Sequence, residues 1–415
     1  MLRATRVQLL ALVLMIGFLA GSGVLSVRMT SVAGRAKLSY TDRAEEGQPP
    51  EVALGIAMGA FRGIFVNFLW MRANDLKQEG KFYEINDLVE AITRLQPRFS
   101  RVWVFHAWNM AYNISVSTQT RGERWEWVQK GVRLLRDRGI AQNPNDLLLH
   151  RELAWIFLHK IQGVTDDANR FYKNQMAQEW QVVLGPPPAL TTETRPRDRA
   201  IEAYAQWLTR IADAPETTTE LIEKEPLTAV LIERLRTGLG EDPTTSEGAI
   251  RILQRYESHL ALERSALKET QQALFGEKNK LFEAALKDAE MKPAWDLLIP
   301  HMRKRVLRDM YSMDIRQMIR FTRKYGPIDW RNPAAHALYW AAQGVERALV
   351  RTSAQIVDGR VQIDADVKKD YDFVNSDRIV IQAVQELYRT GELYFDFLGN
   401  IVTDGDGYYL AVPSL

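Results

Sequence analysis

Residues 67–97 read NFLWMRANDLKQEGKFYEINDLVEAITRLQP, and this stretch decides the fold. Gly80-Lys81-Phe82 breaks a helical pattern in two. Before the break runs a helix with Ala73 and Leu76 on one face. After it, Leu88, Ala91, Ile92 and Leu95 recur at the spacing of an amphipathic helix, and Pro97 closes it. The expectation is an antiparallel helical hairpin.

Two later segments repeat the plan. Trp103 and Ala107 open a second unit whose later helix, residues 126–140, leads into Asn143-Pro144-Asn145-Asp146. A third opens at Leu147, places Ala154 and Phe157 alike, and continues through residues 167–183. Small residue, turn glycine, aromatic and closing proline together resemble the tetratricopeptide repeat, a two-helix unit of about 34 residues. Pro97 and Pro144 are 47 residues apart, so the resemblance implies an enlarged turn at residues 115–123.

That resemblance also implies a peptide-binding groove lined by the first helices of the units. It maps to Asn74 in the first unit, Arg101, Trp108 and Tyr112 in the second, and Arg151 with Trp155 in the third. Arginine and aromatic side chains are common anchors of interfaces. Trp70 stands where the carboxylate-clamp version of the repeat carries a lysine, so capture of a C-terminal carboxylate is not implied.

Upstream, residues 7–27 carry no charge, while Arg3 and Arg6 precede them and Arg28, Arg35 and Lys37 follow. About 20 apolar residues span a bilayer as a helix. The expectation for residues 1–30 is a transmembrane anchor, with a signal peptide cleaved near Ala20-Gly21-Ser22 as the competing reading. Either places the chain at a cell membrane, single-pass if retained, with the bulk extracytoplasmic. Residues 31–51 form a polar tether. In the next segment Gly55, Gly59 and Gly63 are spaced by four, beside Arg62; a core or interfacial helix fits better than a second span, since a buried arginine there is costly.

Residues 52–187 thus form the expected repeat domain, ended by Gly185-Pro186-Pro187-Pro188. Residues 188–246 read as a linker with short helices, and 247–415 as a helical C-terminal domain with at most a small β-hairpin (residues 354–367, turning at Asp358-Gly359). The fold class expected is mainly all-α. Thr244 and Glu247 suggest a capping box. Leu253, Leu260, Leu267, Leu274 and Leu281 stand seven apart, which invites self-association through residues 247–291. Glu257, Arg264, Gln271 and Lys278 fill the companion column, so the stripe reads better as packing within the chain. Residues 299–325 are strongly basic and read as a solvated face balanced by acidic residues 364–406 or, in competition, as a lipid-facing helix.

Chemistry is sparse. With 54 basic and 52 acidic residues and no cysteine, nucleic-acid binding is not expected, and thiolate chemistry is excluded. The six histidines make no zinc-peptidase spacing, and no phosphate loop or nucleophile elbow is present. No metal or cofactor is expected; Asp404 and Asp406 echo only part of a calcium loop. The reading is a membrane-anchored scaffold for a protein or peptide partner. The competing readings are a structural membrane protein that self-associates through residues 247–291, and an envelope enzyme or its accessory subunit, with a site at Asp329, Trp330, Arg331 and His336. That run also resembles one in bacterial membrane-anchored proteins to which no activity attaches.

Overall fold

The structure, a computed structural model, describes residues 2–35, 59–95, 97–263, 277–351, 355–357, 360–362, 371–395 and 401–402. It is mainly helical, as expected. The polar tether, the Gly55 end of the glycine-spaced segment, Leu267, Leu274, the Asp358-Gly359 turn and the Asp404–Gly407 run lie outside the described residues. The chain forms two compact units, one of Met1–Ile156 with Trp340–Arg378 and one of Phe157–Tyr339 with Ile379–Leu415. The edges expected at 187 and 246 fall inside the second.

The first unit opens with helix α1 (Leu2–Arg35), which contacts α2 (Gly59–Gln78). Among the described residues no helix is long and apolar enough to cross a membrane. The described side chains of α1 are those of Leu10–Leu25 and Arg28. Those large apolar side chains are exposed, from Met15 at 50% to Phe18 at 76%.

The hairpin stands where the sequence puts it. Helix α2 meets α3 (Phe82–Leu95) across Gly80, whose φ of +74° only glycine adopts cheaply. The amide of Lys81 donates to the Leu76 carbonyl at 2.9 Å and that of Gly80 to Lys77 at 3.2 Å, the paired bonds of a Schellman ending. Leu69, Ala73 and Leu76 pack on Ile85, Val89, Ile92 and Val102. The core face of α3 is therefore turned from the expected one: Leu88 and Ala91 sit half-buried at its edge.

The second hairpin departs from expectation more. Helix α4 (Ser100–Trp108) continues through a π-helical turn (Asn109–Ile114) and a last turn (Ser115–Ser117). Helix α5 (Arg121–Arg133) likewise continues through a π-helical turn (Leu134–Gly139) to Gln142. The extra residues between Pro97 and Pro144 thus lengthen both helices; the turn between them is short. Thr120 and Glu123 close it with a reciprocal capping box. Gly131 brings the helices together, because a Cβ there would lie 2.8 Å from the Ala107 carbonyl oxygen.

Two loops then clip the unit. The Pro97 carbonyl accepts from the Trp103 indole and from Asn143, each at 2.9 Å. Asp146 caps α6 (Leu147–Trp155) through the Leu149 amide at 3.2 Å and also accepts from Ser100. The later chain returns to this helix: Leu147 packs with Ala348 and Phe373, and Arg347 donates to the Pro144 carbonyl at 3.0 Å. Gln355–Val357 and Arg360–Gln362 form the small antiparallel hairpin, with Ile356 opposite Val361.

The second unit runs through α7 (Asn169–Leu184), α8 (Arg197–Ala212), α9 (Thr218–Lys224), α10 (Leu227–Leu239), α11 (Ser246–Glu263), α12 (Glu277–Lys287), α13 (Lys292–Tyr311) and α14 (Ile315–Tyr325). Helix α11 starts on Thr245, whose hydroxyl accepts from the Gly248 amide at 3.1 Å; Thr244 turns to Asp242 instead. Leu253 is buried, and Glu257 pairs with Arg303 of α13 at 2.6 Å. That pair explains the charge beside Leu253; of the other described stripe residues, Leu260 is half-buried and Leu281 is exposed. Among the described residues, Lys304, Arg308 and Arg323 of the basic 299–325 segment also pair with acids outside the expected 364–406 segment. Lys304 holds Glu216 at 2.5 Å and donates to the Ala212 and Ala214 carbonyls, each at 2.8 Å, satisfying orphan groups at the end of α8. Arg308 meets Glu216 and Asp309, and Arg323 meets Glu202. Helix α15 (Pro333–Arg351) and α16 (Tyr371–Thr390) complete the described helices; α16 starts six residues before the expected 377.

Candidate functional site

Of the six groove residues, three form one cluster in the first unit. Trp108 ends the α-helical part of α4, and Tyr112 sits on the π-helical turn that follows. Their rings stack at 4.4 Å with 24° between planes. Stacking of this kind adds about 0.5–1.5 kcal/mol beyond burial. The Trp108 indole donates to Glu152 Oε2 at 2.9 Å, and the other carboxylate oxygen accepts from Arg151 Nε at 3.0 Å. Glu152 is buried, so its charge needs these partners. Burial, with the Glu152 charge adding to it, raises the Tyr112 phenol well above its ordinary pKa, so it stays protonated.

Arg151 does not face open solvent. It also pairs with Asp372 at the start of α16 and lies 5.8 Å from the Tyr371 ring. The arginine expected to direct a partner is thus engaged by residues more than two hundred positions later in the chain. Trp155 is half-buried nearby on the same helix. Asn74 and Arg101 are exposed, and among the described residues no hydrogen bond or ring contact joins either to this cluster. Trp70 packs edge-on against Phe105 at 4.8 Å beside the first hairpin core. Trp108, at 36% exposure, keeps one part of the stack at the surface.

The histidines of this unit are structural. His106 bonds Asn86 and His150 bonds the Pro144 carbonyl, at 2.8 and 2.9 Å. Burial lowers each to about 4, so both are neutral at physiological pH.

The rival constellation lies in the second unit. Asp329 accepts from Arg331 Nε at 2.9 Å, from its terminal nitrogen at 2.7 Å, from its backbone amide at 3.0 Å, and from the Leu393 amide at 2.9 Å. Arg331 also donates to Gln181 at 2.8 Å and to the Leu393 carbonyl at 2.7 Å. Gln181 in turn donates to Glu257 at 3.1 Å, linking two buried ion pairs. Burial works against the Arg331 charge, but the Asp329 carboxylate outweighs it and raises the guanidinium pKa. His336 is held at the Trp330 carbonyl, 2.9 Å away, and its ring sits 4.1 Å from that of Trp180. Asn332 caps α15 through the Ala334 amide at 2.8 Å. Asp329 and Arg331 spend their hydrogen bonds on each other, on the backbone and, for Arg331, on the Gln181 side chain, an arrangement that fixes a loop. Glu392 is the nearby acid with a raised pKa, through burial and then the Asp329 charge.

Sequence reasoning missed Glu152 and Asp372. Glu152 sits beside Arg151 and looks like an ordinary helix-surface charge; no local pattern announces a partner as distant as Asp372. No family profile, curated protein or solved structure matches this chain.

Proposed function

We propose that this protein is a membrane-anchored helical scaffold, tetratricopeptide-like in its first units, that binds a protein or peptide partner without chemistry of its own. The observation that carries this reading is the Trp108–Tyr112 stack. It is a rigid aromatic pair, partly at the surface and fixed from below by a buried carboxylate and an arginine. Aromatic groups held this way lose little entropy on binding, which is why they recur as anchors. π-helical turns such as the one bearing Tyr112 are often found at functional positions.

Anchoring rests on α1, whose uncharged run and exposed leucine, valine and phenylalanine side chains suit hydrocarbon better than water. The bulk of the chain is then extracytoplasmic. Arg151 acts as a brace for Glu152 and not as a direct contact. Affinity capture from membranes with the intact chain and with Trp108→Ala tests the reading. The variant is expected to keep its helical circular dichroism and lose specific partners; an unchanged set of partners overturns the proposal.

A further inference from the structure

We infer that α2 is a second membrane contact, lying in the headgroup region of an anionic bilayer with Phe68 and Met71 inserted beside α1; this rests on the membrane reading of α1 above. Helix α2 presents two faces. Leu69, Ala73 and Leu76 are buried against α3 at helical spacing. Phe68 and Met71, one turn apart on another face, are 63% and 66% exposed. A phenylalanine and a methionine side by side in water are unfavourable unless something covers them.

Lipid is the occupant that fits, for two reasons. Helix α2 contacts α1 within the same unit, and both helices carry exposed large apolar side chains, Phe68 and Met71 on one and those of Leu10–Leu25 on the other. Arg28, three residues after Leu25, and Arg72 beside Met71 are both exposed, as is Asp75 one turn beyond Met71; the two cations would meet lipid phosphates while Asp75 stays toward water. Two contacts instead of one fix the tilt of the first hairpin against the bilayer, and with it the direction in which the unit faces.

The chain has no cysteine, so a single introduced thiol carries a unique label. The full chain bearing Phe68→Cys, Met71→Cys, Leu14→Cys or Gln119→Cys, each labelled with an environment-sensitive fluorophore, is reconstituted into vesicles of phosphatidylcholine and phosphatidylglycerol. Quenching by lipid-borne nitroxide is compared with quenching by aqueous iodide. Labels at 14, 68 and 71 are expected to lose emission to the nitroxide and be shielded from iodide, with the label at 119 behaving oppositely. If 14 is quenched by lipid while 68 and 71 follow 119, this inference fails and the anchor stands. If 14 also follows 119, the membrane reading itself fails. Labels at 68 and 71 shielded from both quenchers would mean that protein, such as a second copy of the chain, covers the face, which overturns the inference as well.

Discussion

Arg331→Met tests whether the buried Asp329–Arg331 pair holds the 329–336 run in place. The Asp329 and Arg331 side chains are 2% and 4% exposed. Methionine keeps much of the arginine's packing but removes both side-chain bonds to Asp329 and those to Gln181 and the Leu393 carbonyl. The carboxylate is left with the backbone amides of residues 331 and 393. Stranding one member of a buried pair costs about 3–5 kcal/mol. The two surviving amide bonds place this case near the lower end, about 3 kcal/mol. Adding Asp329→Asn removes the stranded charge and should restore about 1–2 kcal/mol, within the coupling usual for contacting residues. Urea unfolding of the detergent-solubilised chain, followed by circular dichroism, reads both changes. A single variant within about 0.5 kcal/mol of wild type, or a double variant less stable than the single, refutes the reasoning.

Three further outcomes follow from the first unit. Gly131→Ala gains about 1 kcal/mol of helix preference but forces a methyl to within 2.8 Å of the Ala107 carbonyl oxygen, at about 1–3 kcal/mol; a net loss near 1 kcal/mol is expected in the same unfolding assay. His106 and His150 titrate near 4 when folded and near 6.5 when unfolded. The unfolded chain therefore binds more protons between those values, and stability falls as pH drops from about 6.5 to about 4, by roughly 3 kcal/mol for each histidine. Thermal melting across that range should show the decline, be flat from these groups above pH 7, and flatten partly in His150→Gln. Glu123→Ala removes half of the capping box at Thr120 and should lower the thermal midpoint slightly; no change would mean that the start of α5 is held by packing alone.

Much of the first unit was legible because its signals are local. Gly80 must be a glycine for backbone reasons, and Ala73 and Leu76 face a partner helix at a fixed period. The 47-residue spacing was legible too, but its location was not. A π-helical turn adds a residue to a helix without any turn former in the sequence, so residues 109–114 and 134–139 read as ordinary helix. Charges were the hardest to place. Glu257 looked like a flaw in a leucine stripe until Arg303 was beside it, and Lys304 and Arg308 found Glu216 where the acidic tail had been expected. For the candidate site, the aromatic pair was visible at helical spacing. The carboxylate beneath it and the engagement of Arg151 by Asp372 depend on contacts across the fold, which one-dimensional patterns do not encode.

The most direct test of the scaffold account is photocrosslinking in intact membranes from a benzophenone side chain placed at Trp108, with position 119 as the control. The account predicts one discrete adduct from position 108, absent from 119 and weakened when Tyr112→Ala removes the other half of the stack. The same products from both positions, or none from 108 in a chain that remains folded and membrane-bound, would contradict it.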